Sequence, residues 1–229
     1  MRIFAHRGAS AEAPENTLQA FNLAVAAGVD GIEFDARQID GEIVIIHDRQ
    51  LDRTTNAKGL IQGKSLHYLR QLDAGNQQQI PILAEVLSTA PPGTLCNIEI
   101  KHLFDVHRWL EVFDNACALS QKAIDDIIIS SFNHHWLLAL KQLRPELTLS
   151  LLTASYELDP LRFAAQFTPW SINVALDVVD RSYIEKIKQS GCKALIFTVD
   201  DPDDMVLLKQ WGADGIFTNK PALALKTLA

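Results

Sequence analysis

The chain has 229 residues, 48% of them hydrophobic, and its 21 lysines and arginines against 28 aspartates and glutamates give a formal charge of −7. That hydrophobic share excludes intrinsic disorder, and at this length folding buries roughly 70–75% of the unfolded surface, enough for a sizeable core. The acidic balance argues against a broad footprint on nucleic acid or an anionic membrane, yet leaves room for a local basic pocket.

Cys96, Cys117 and Cys192 are odd in number and far apart, without metal-knuckle or redox spacing, and read as reduced core residues. Arg2-Ile3-Phe4-Ala5 reads as a strand rather than a leader. No apolar run approaches the roughly 20 residues of a membrane span. A cytoplasmic protein is expected, with no nucleic-acid partner and no stable membrane insertion; the oligomeric state stays open.

From the N-terminus onward, short apolar β-branched runs alternate with longer helical patterns. Strands are expected at 3–5, 31–37, 95–100, 127–131, 147–152, 171–174, 194–199 and 215–218. Helices are expected at 17–27, 83–89, 106–119, 134–143, 160–167, 182–190, 202–211 and 221–228. Asn16 with Gln19 suits a capping box and Gly28 the end of the first helix. Pro202 and Pro221 suit first helical turns. Eight βα units in this length fit a (β/α)8 TIM barrel, with residues 1–229 as one domain. A doubly wound open sheet is the alternative.

One irregularity follows the second strand. Asp40-Gly41 signals a hairpin, with 42–46 as an extra short strand. Residues 48–79 then form an insertion with little periodicity beyond a turn near 65–72, expected to lie over the C-terminal mouth of the barrel.

Barrel enzymes carry their chemistry at that mouth. The first strand ends in His6-Arg7-Gly8: a proton-transfer group, a phosphate fork, and a glycine that would let backbone approach a ligand. Glu33 and Asp35 share one strand face, and Ile32 and Phe34 the other. Two inward carboxylates are costly unless paired or bound to a cation. An ion pair with Arg37 or Arg7 is the bland reading, and a hard divalent metal the functional one. Asn97, Glu99 and Lys101 bring a third carboxylate and a cation to the same mouth.

His47 closes the hairpin, and the register decides where it points. A two-residue Asp40-Gly41 turn pairs it with Phe34; a three-residue loop with a bulge at Gly41 pairs it with Glu33. The second register is predicted, because it brings His47 to the carboxylates. His67, His102, His107, His134 and His135 lack comparable neighbours and read as surface or structural, His102 being the likeliest exception.

These residues fall in a recognisable order. His6-Arg7-Gly8, Ala13-Pro14-Glu15-Asn16-Thr17, Gly31-Ile32-Glu33-Phe34-Asp35, His47-Asp48 and Leu51-Asp52-Arg53-Thr54-Thr55 come first. Asn97-Ile98-Glu99-Ile100-Lys101, Ser130-Ser131-Phe132, Phe197-Thr198-Val199-Asp200 and the run from Gly212 to Asn219 follow. The ordered set spans nearly the whole chain and resembles the glycerophosphodiester phosphodiesterases, in their bacterial cytoplasmic form. The resemblance implies a TIM barrel with a small insertion after strand two. It implies Glu33, Asp35 and Glu99 as ligands of a divalent metal, Mg²⁺ or Ca²⁺. His6 and His47 correspond to its acid/base pair, Arg7 and Lys101 to its phosphate contacts, and Phe197 to an apolar wall for substrate.

Two departures stand out. The hairpin before His47 is one residue shorter than the family's, and Phe197 and Asp200 stand where tryptophan and asparagine are common. Asp200 would add a negative charge near the substrate if it faces the pocket. The implied reaction is metal-dependent hydrolysis of a glycerophosphodiester to sn-glycerol 3-phosphate and an alcohol. One alternative is a related phosphodiesterase acting on lysophospholipid or inositol lipid headgroups, via a cyclic phosphate. A binding protein on a degenerate barrel is the other, and it predicts loss of at least one of His6, Glu33, Asp35, His47 and Glu99, all of which are present.

Overall fold

The computed structural model describes residues 1–155 and 168–229. In chain order these form β1 (Arg2–His6), α1 (Leu18–Ala27), β2 (Gly31–Ile39), β3 (Glu42–Ile45), α2 (Leu66–Leu69), α3 (Leu83–Thr89) and β4 (Leu95–His102). Then come α4 (Val106–Ser120), β5 (Ile127–Ser131), α5 (His134–Leu143), β6 (Leu149–Thr153) and β7 (Ser171–Ala175). The chain closes with α6 (Arg181–Gln189), β8 (Lys193–Phe197), α7 (Pro202–Trp211), β9 (Gly215–Thr218) and α8 (Pro221–Leu228). The helix expected at 160–167 lies outside the described residues.

Eight strands run parallel in the order β1-β2-β4-β5-β6-β7-β8-β9, and β9 returns to pair with β1. That last pairing closes a (β/α)8 barrel and removes the open-sheet alternative. The strands alternate inward and outward. Ile32, Phe34, Ala36, Ile98 and Ile129 face out into the apolar layer beneath the helices. Phe4, Ile128, Leu195 and Phe217 face in and fill the barrel, the rings of Phe4 and Phe217 lying 5.1 Å apart. Cys96 and Cys192 are buried, and all three cysteines are free thiols. Burial pushes Cys96 up to about 12 and Cys117 up to about 11, which disfavours the thiolate at both.

Helix α1 differs from its sequence reading in one informative place. Thr17, not Asn16, is the cap, and its side chain accepts from Ala20 N. Asn16 turns the other way, into the barrel mouth, where it bonds Asp35. Gly28 does end the helix, left-handed at φ 86°.

The hairpin overturns the predicted register. Ala36 pairs with Ile45 and Ile39 with Glu42, so Asp40-Gly41 is a two-residue turn. Both turn residues have positive φ, 53° and 73°, as a twisted two-residue hairpin requires. The same register continues to Ile46, whose N–H donates to Asp35 O at 2.9 Å, and would set His47 opposite Phe34. The ladder ends first: β3 stops at Ile45 and the chain bends at His47, so the two-residue parity no longer governs its side chain.

Residues 48–79 pack on the hairpin. Leu51, Ile61, Leu69, Leu72 and Ala74 gather with Ile39, Val44, Ile46 and Ile80 into a small core of their own. Ile43 and Ile45, on the other face of β3, join the main apolar layer. The hairpin is thus sandwiched, which holds the insertion beside the mouth. Among the described residues no helix is long and apolar enough to cross a membrane.

Candidate active site

The C-terminal ends of β1, β2 and β4 lie side by side, with His6 opposite Glu33 and Asp35 opposite Glu99. Their inward faces bring Glu33, Asp35 and Glu99 together, all buried, with one oxygen of each within 4.8 Å of the others. Burial, then the charges of Asp35 and Glu99, push Glu33 well above the usual carboxylate range. The same causes, burial first and Asp35 second, raise Glu99 to about 7. Burial acts against Asp35 too, but Lys101 and Arg7 together outweigh it and hold Asp35 below its ordinary value.

The bland ion-pair reading holds only in part. Arg7 Nε lies 3.1 Å from Asp35 Oδ2, Lys101 Nζ lies 3.4 Å from Asp35 Oδ1, and Lys101 also pairs with Glu99. Arg37 makes no ion pair among the described residues; its Nε donates instead to His47 O at 3.0 Å. Two cations against three buried carboxylates leave negative charge uncompensated, and Glu33 Oε1 and Asp35 Oδ1 make no hydrogen bond. An all-oxygen, buried, under-satisfied set of donors fits a hard divalent cation.

Arg7 adopts a left-handed backbone, φ 58°, at a cost of about 1 kcal/mol. The conformation turns its N–H onto Glu33 Oε2 at 2.9 Å and presents its carbonyl to Asn16 N at 3.0 Å. Gly8 serves packing rather than ligand approach. At φ +81° a Cβ there would sit 2.6 Å from the Ala20 backbone.

Each histidine is anchored through Nδ1. Asp200 accepts from Asn219 N at 2.7 Å, Asn219 Nδ2 at 2.6 Å and Thr218 Oγ1 at 3.0 Å. A carboxylate can only accept, so the Asn219 amide nitrogen faces Asp200 and its oxygen faces His6 Nδ1, 2.8 Å away. His6 therefore carries its proton on Nδ1 and leaves Nε2 free. Asp200 points at Asn219 and not at the pocket, which corrects the expectation of extra charge beside the substrate.

On the other side His47 Nδ1 donates to Asp48 Oδ1 at 2.6 Å, again freeing Nε2. Arg53 binds Asp48 through Nε at 2.6 Å and Glu15 through Nη1 at 2.6 Å, and Glu15 accepts from Arg7 at 2.9 Å. Burial, followed by the Arg7 charge, depresses His6 to about 4. Burial also lowers His47, with Asp35 opposing it most strongly. The register predicted for His47 is absent, and Asp35 is the carboxylate whose charge acts most on its ring.

Phe197 lines the small cavity above the barrel filling together with His6, Glu33, Asn97, Glu99 and Phe217. Its ring meets Phe132 edge-on at 5.8 Å, and Lys101 Nζ sits 5.7 Å from the centre of the Phe132 ring. All eight residues singled out in the sequence, His6, Arg7, Glu33, Asp35, His47, Glu99, Lys101 and Phe197, border one mouth. Sequence reasoning missed Glu15, Asn16, Asp48, Arg53, Phe132 and Asn219 as working parts. Their only signal was membership of the ordered motifs.

A closed (β/α)8 barrel whose strand ends gather carboxylates, cations and two anchored histidines defines an enzyme of the barrel class. The profile of the Glycerophosphoryl diester phosphodiesterase family matches residues 6–223, and the chain belongs to that family. A glycerophosphodiester phosphodiesterase of Caldanaerobacter subterraneus subsp. tengcongensis is 34% identical over 228 residues, covering 96% of this chain and 94% of that one. A second, from Bacillus altitudinis, is 31% identical over 98% of this chain and 97% of its own length. A solved phosphodiesterase of Oleispira antarctica, in complex with the product sn-glycerol-3-phosphate, superposes with a TM-score of 0.92 at 28% identity, covering 100% of this chain and 96% of that one.

Proposed function

We propose that the chain hydrolyses glycerophosphodiesters to sn-glycerol 3-phosphate and an alcohol, using a divalent metal, Mg²⁺ or Ca²⁺, held by Glu33, Asp35 and Glu99. The observation that carries this is the cluster itself: three buried carboxylate oxygens within 4.8 Å, between two histidines whose Nε2 atoms are free. A metal bound there would screen the phosphate's charge and polarise its oxygens. Arg7 and Lys101 stabilise the charge that develops on the phosphoryl oxygens. One histidine Nε2 takes the proton of the attacking oxygen while the other gives a proton to the departing alcohol. Asn219 and Asp48 hold the two rings, and Phe197 with Phe132 forms the apolar side of the mouth.

Product analysis with glycerophosphocholine tests the reading. Choline and sn-glycerol 3-phosphate are expected in Mg²⁺ or Ca²⁺, none in excess chelator, and recovery on adding metal back. Full activity in excess chelator would remove the metal from the scheme, and no choline release under any condition would remove the activity. A lipid substrate has one observation in its favour: Leu60 of the insertion and Phe104 after β4 are 45% and 87% exposed. Lysophospholipid therefore belongs in the same assay, and faster turnover than glycerophosphocholine would favour it.

A further inference from the structure

A groove adjoins the mouth at Lys101. It runs between the end of β2, the end of β4 and the insertion, with a volume of about 130 Å³. Arg37, Arg49, Gln62, Lys101 and His102 supply its polar surface and Ile39 and Leu60 part of its apolar wall; no carboxylate lines it. In a chain with a formal charge of −7 the groove gathers three permanent positive charges; Lys101 is shared with Asp35 and Glu99, while Arg37 and Arg49 form no ion pair among the described residues.

Its construction follows from the sheet. Ala36 pairs with Ile100 but Arg37 pairs with His102, so Lys101 is an extra residue in β4 at this point. Such a bulge re-aims side chains. It sets Lys101 towards Asp35 and brings His102 level with Arg37. His102 Nδ1 lies 3.2 Å from Gln38 O, an acceptor, so its Nε2 is the free nitrogen. Arg37 is buried and bonds only a carbonyl, and exposed Arg49 makes neither a side-chain hydrogen bond nor an ion pair among the described residues. The nearby carboxylates are already engaged: Asp35 by Arg7 and Lys101, Glu99 by Lys101, and Asp48 by His47 and Arg53.

We infer that this groove is a subsite for a second phosphoryl group, carried on the alcohol half of the substrate. The inference rests on the phosphodiesterase reading above and deepens it. The glycerol half of a glycerophosphodiester has no charge beyond the scissile phosphate, so a second anion in the groove can belong only to the alcohol. Planar guanidinium forks match phosphate oxygens two at a time; Arg49 offers its whole fork, and Arg37, whose Nε and Nη2 hold His47 O, offers its Nη1 side. The volume exceeds the ~30 Å³ share of one water several-fold. Beyond it the groove widens into an outer cleft of about 440 Å³, which shares Ile39, Gln62 and His102, so a long alcohol can continue outwards.

The test compares sn-glycero-3-phosphoglycerol with the same compound phosphorylated on its far glycerol. The wild-type kcat/KM for the phosphorylated diester should exceed that for the unphosphorylated one by about tenfold at low ionic strength. Added salt should shrink this ratio, because Arg49 is solvent-exposed. Arg49→Gln should lower the ratio at least threefold, and Arg49→Lys should restore only part of it, because an ammonium keeps the charge without the fork. A wild-type ratio near one, or a ratio that Arg49→Gln leaves in place, would overturn the subsite while leaving the phosphodiesterase reading intact. Failure to hydrolyse either diester in Mg²⁺ or Ca²⁺ would overturn that reading, and the subsite with it.

Discussion

His6 stands on a barrel strand, whereas His47 stands on a bend just past the end of a hairpin, and their anchors differ in kind. The barrel side uses a neutral amide, Asn219, aligned from behind by Asp200. The insertion side uses a carboxylate directly, Asp48, itself gripped by Arg53. A neutral amide oxygen fixes the ring and favours its protonated form weakly; a carboxylate adds a full opposite charge and favours it more. Two residues of one type thus arrive at one phosphate site with unequal ease of protonation.

The largest test of this pairing removes each ring. His6→Ala and His47→Ala should each cut turnover by about 10²-fold or more. Near-wild-type turnover in either would show that one side works alone. Both sides converge on the carboxylates, so Glu33→Gln should weaken Mg²⁺ or Ca²⁺ binding at least tenfold by calorimetry. The metal-free variant should melt no lower than wild type, since glutamine keeps the oxygen that accepts from Arg7 N and replaces a carboxyl whose charged form burial already disfavours.

Smaller effects separate the anchors. Asp48→Asn should lower kcat roughly tenfold with little change in KM, shifting the pH profile towards acid as His47 becomes harder to protonate. Asp200→Asn should cost less, a few-fold, because an amide oxygen can still accept from Asn219; an effect equal to that of Asp48→Asn would erase the distinction. The smallest effect is on stability. With a folded value of about 4 against an ordinary 6.5, His6 contributes stability that is fully present above pH 6.5 and lost as pH falls towards 4. The urea midpoint of metal-free His6→Asn should therefore fall less than that of wild type over this interval. Parallel curves would show that His6 does not titrate as its burial implies.

Much of this was legible in the sequence because the barrel obeys local rules. Period-two faces placed Glu33, Asp35, Asn97, Glu99 and Lys101 on the inner wall, and proline and glycine marked the ends of α1, α7 and α8. What escaped were contacts between residues far apart in the chain. Asn16 looked like a helix cap because its neighbours suit one, while its true partner, Asp35, lies 19 residues on. Asp200 looked like a charge facing substrate because nothing local shows that Asn219 folds back to cover it. His47 was placed by strand parity, and parity holds only while the ladder lasts.

Arg53 carries a consequence for anyone recombining this chain. One guanidinium ties the insertion to Glu15 in the first barrel loop and to Asp48 beside His47. Glu15, Asp48 and Arg53 therefore behave as one cassette scattered over 39 positions of sequence. A chimera that imports a foreign insertion without its matching arginine, or keeps the arginine against a foreign first loop, would loosen a catalytic ring that neither graft touches. The natural crossover points lie before Glu15 and after residue 79, with everything between them exchanged as a block.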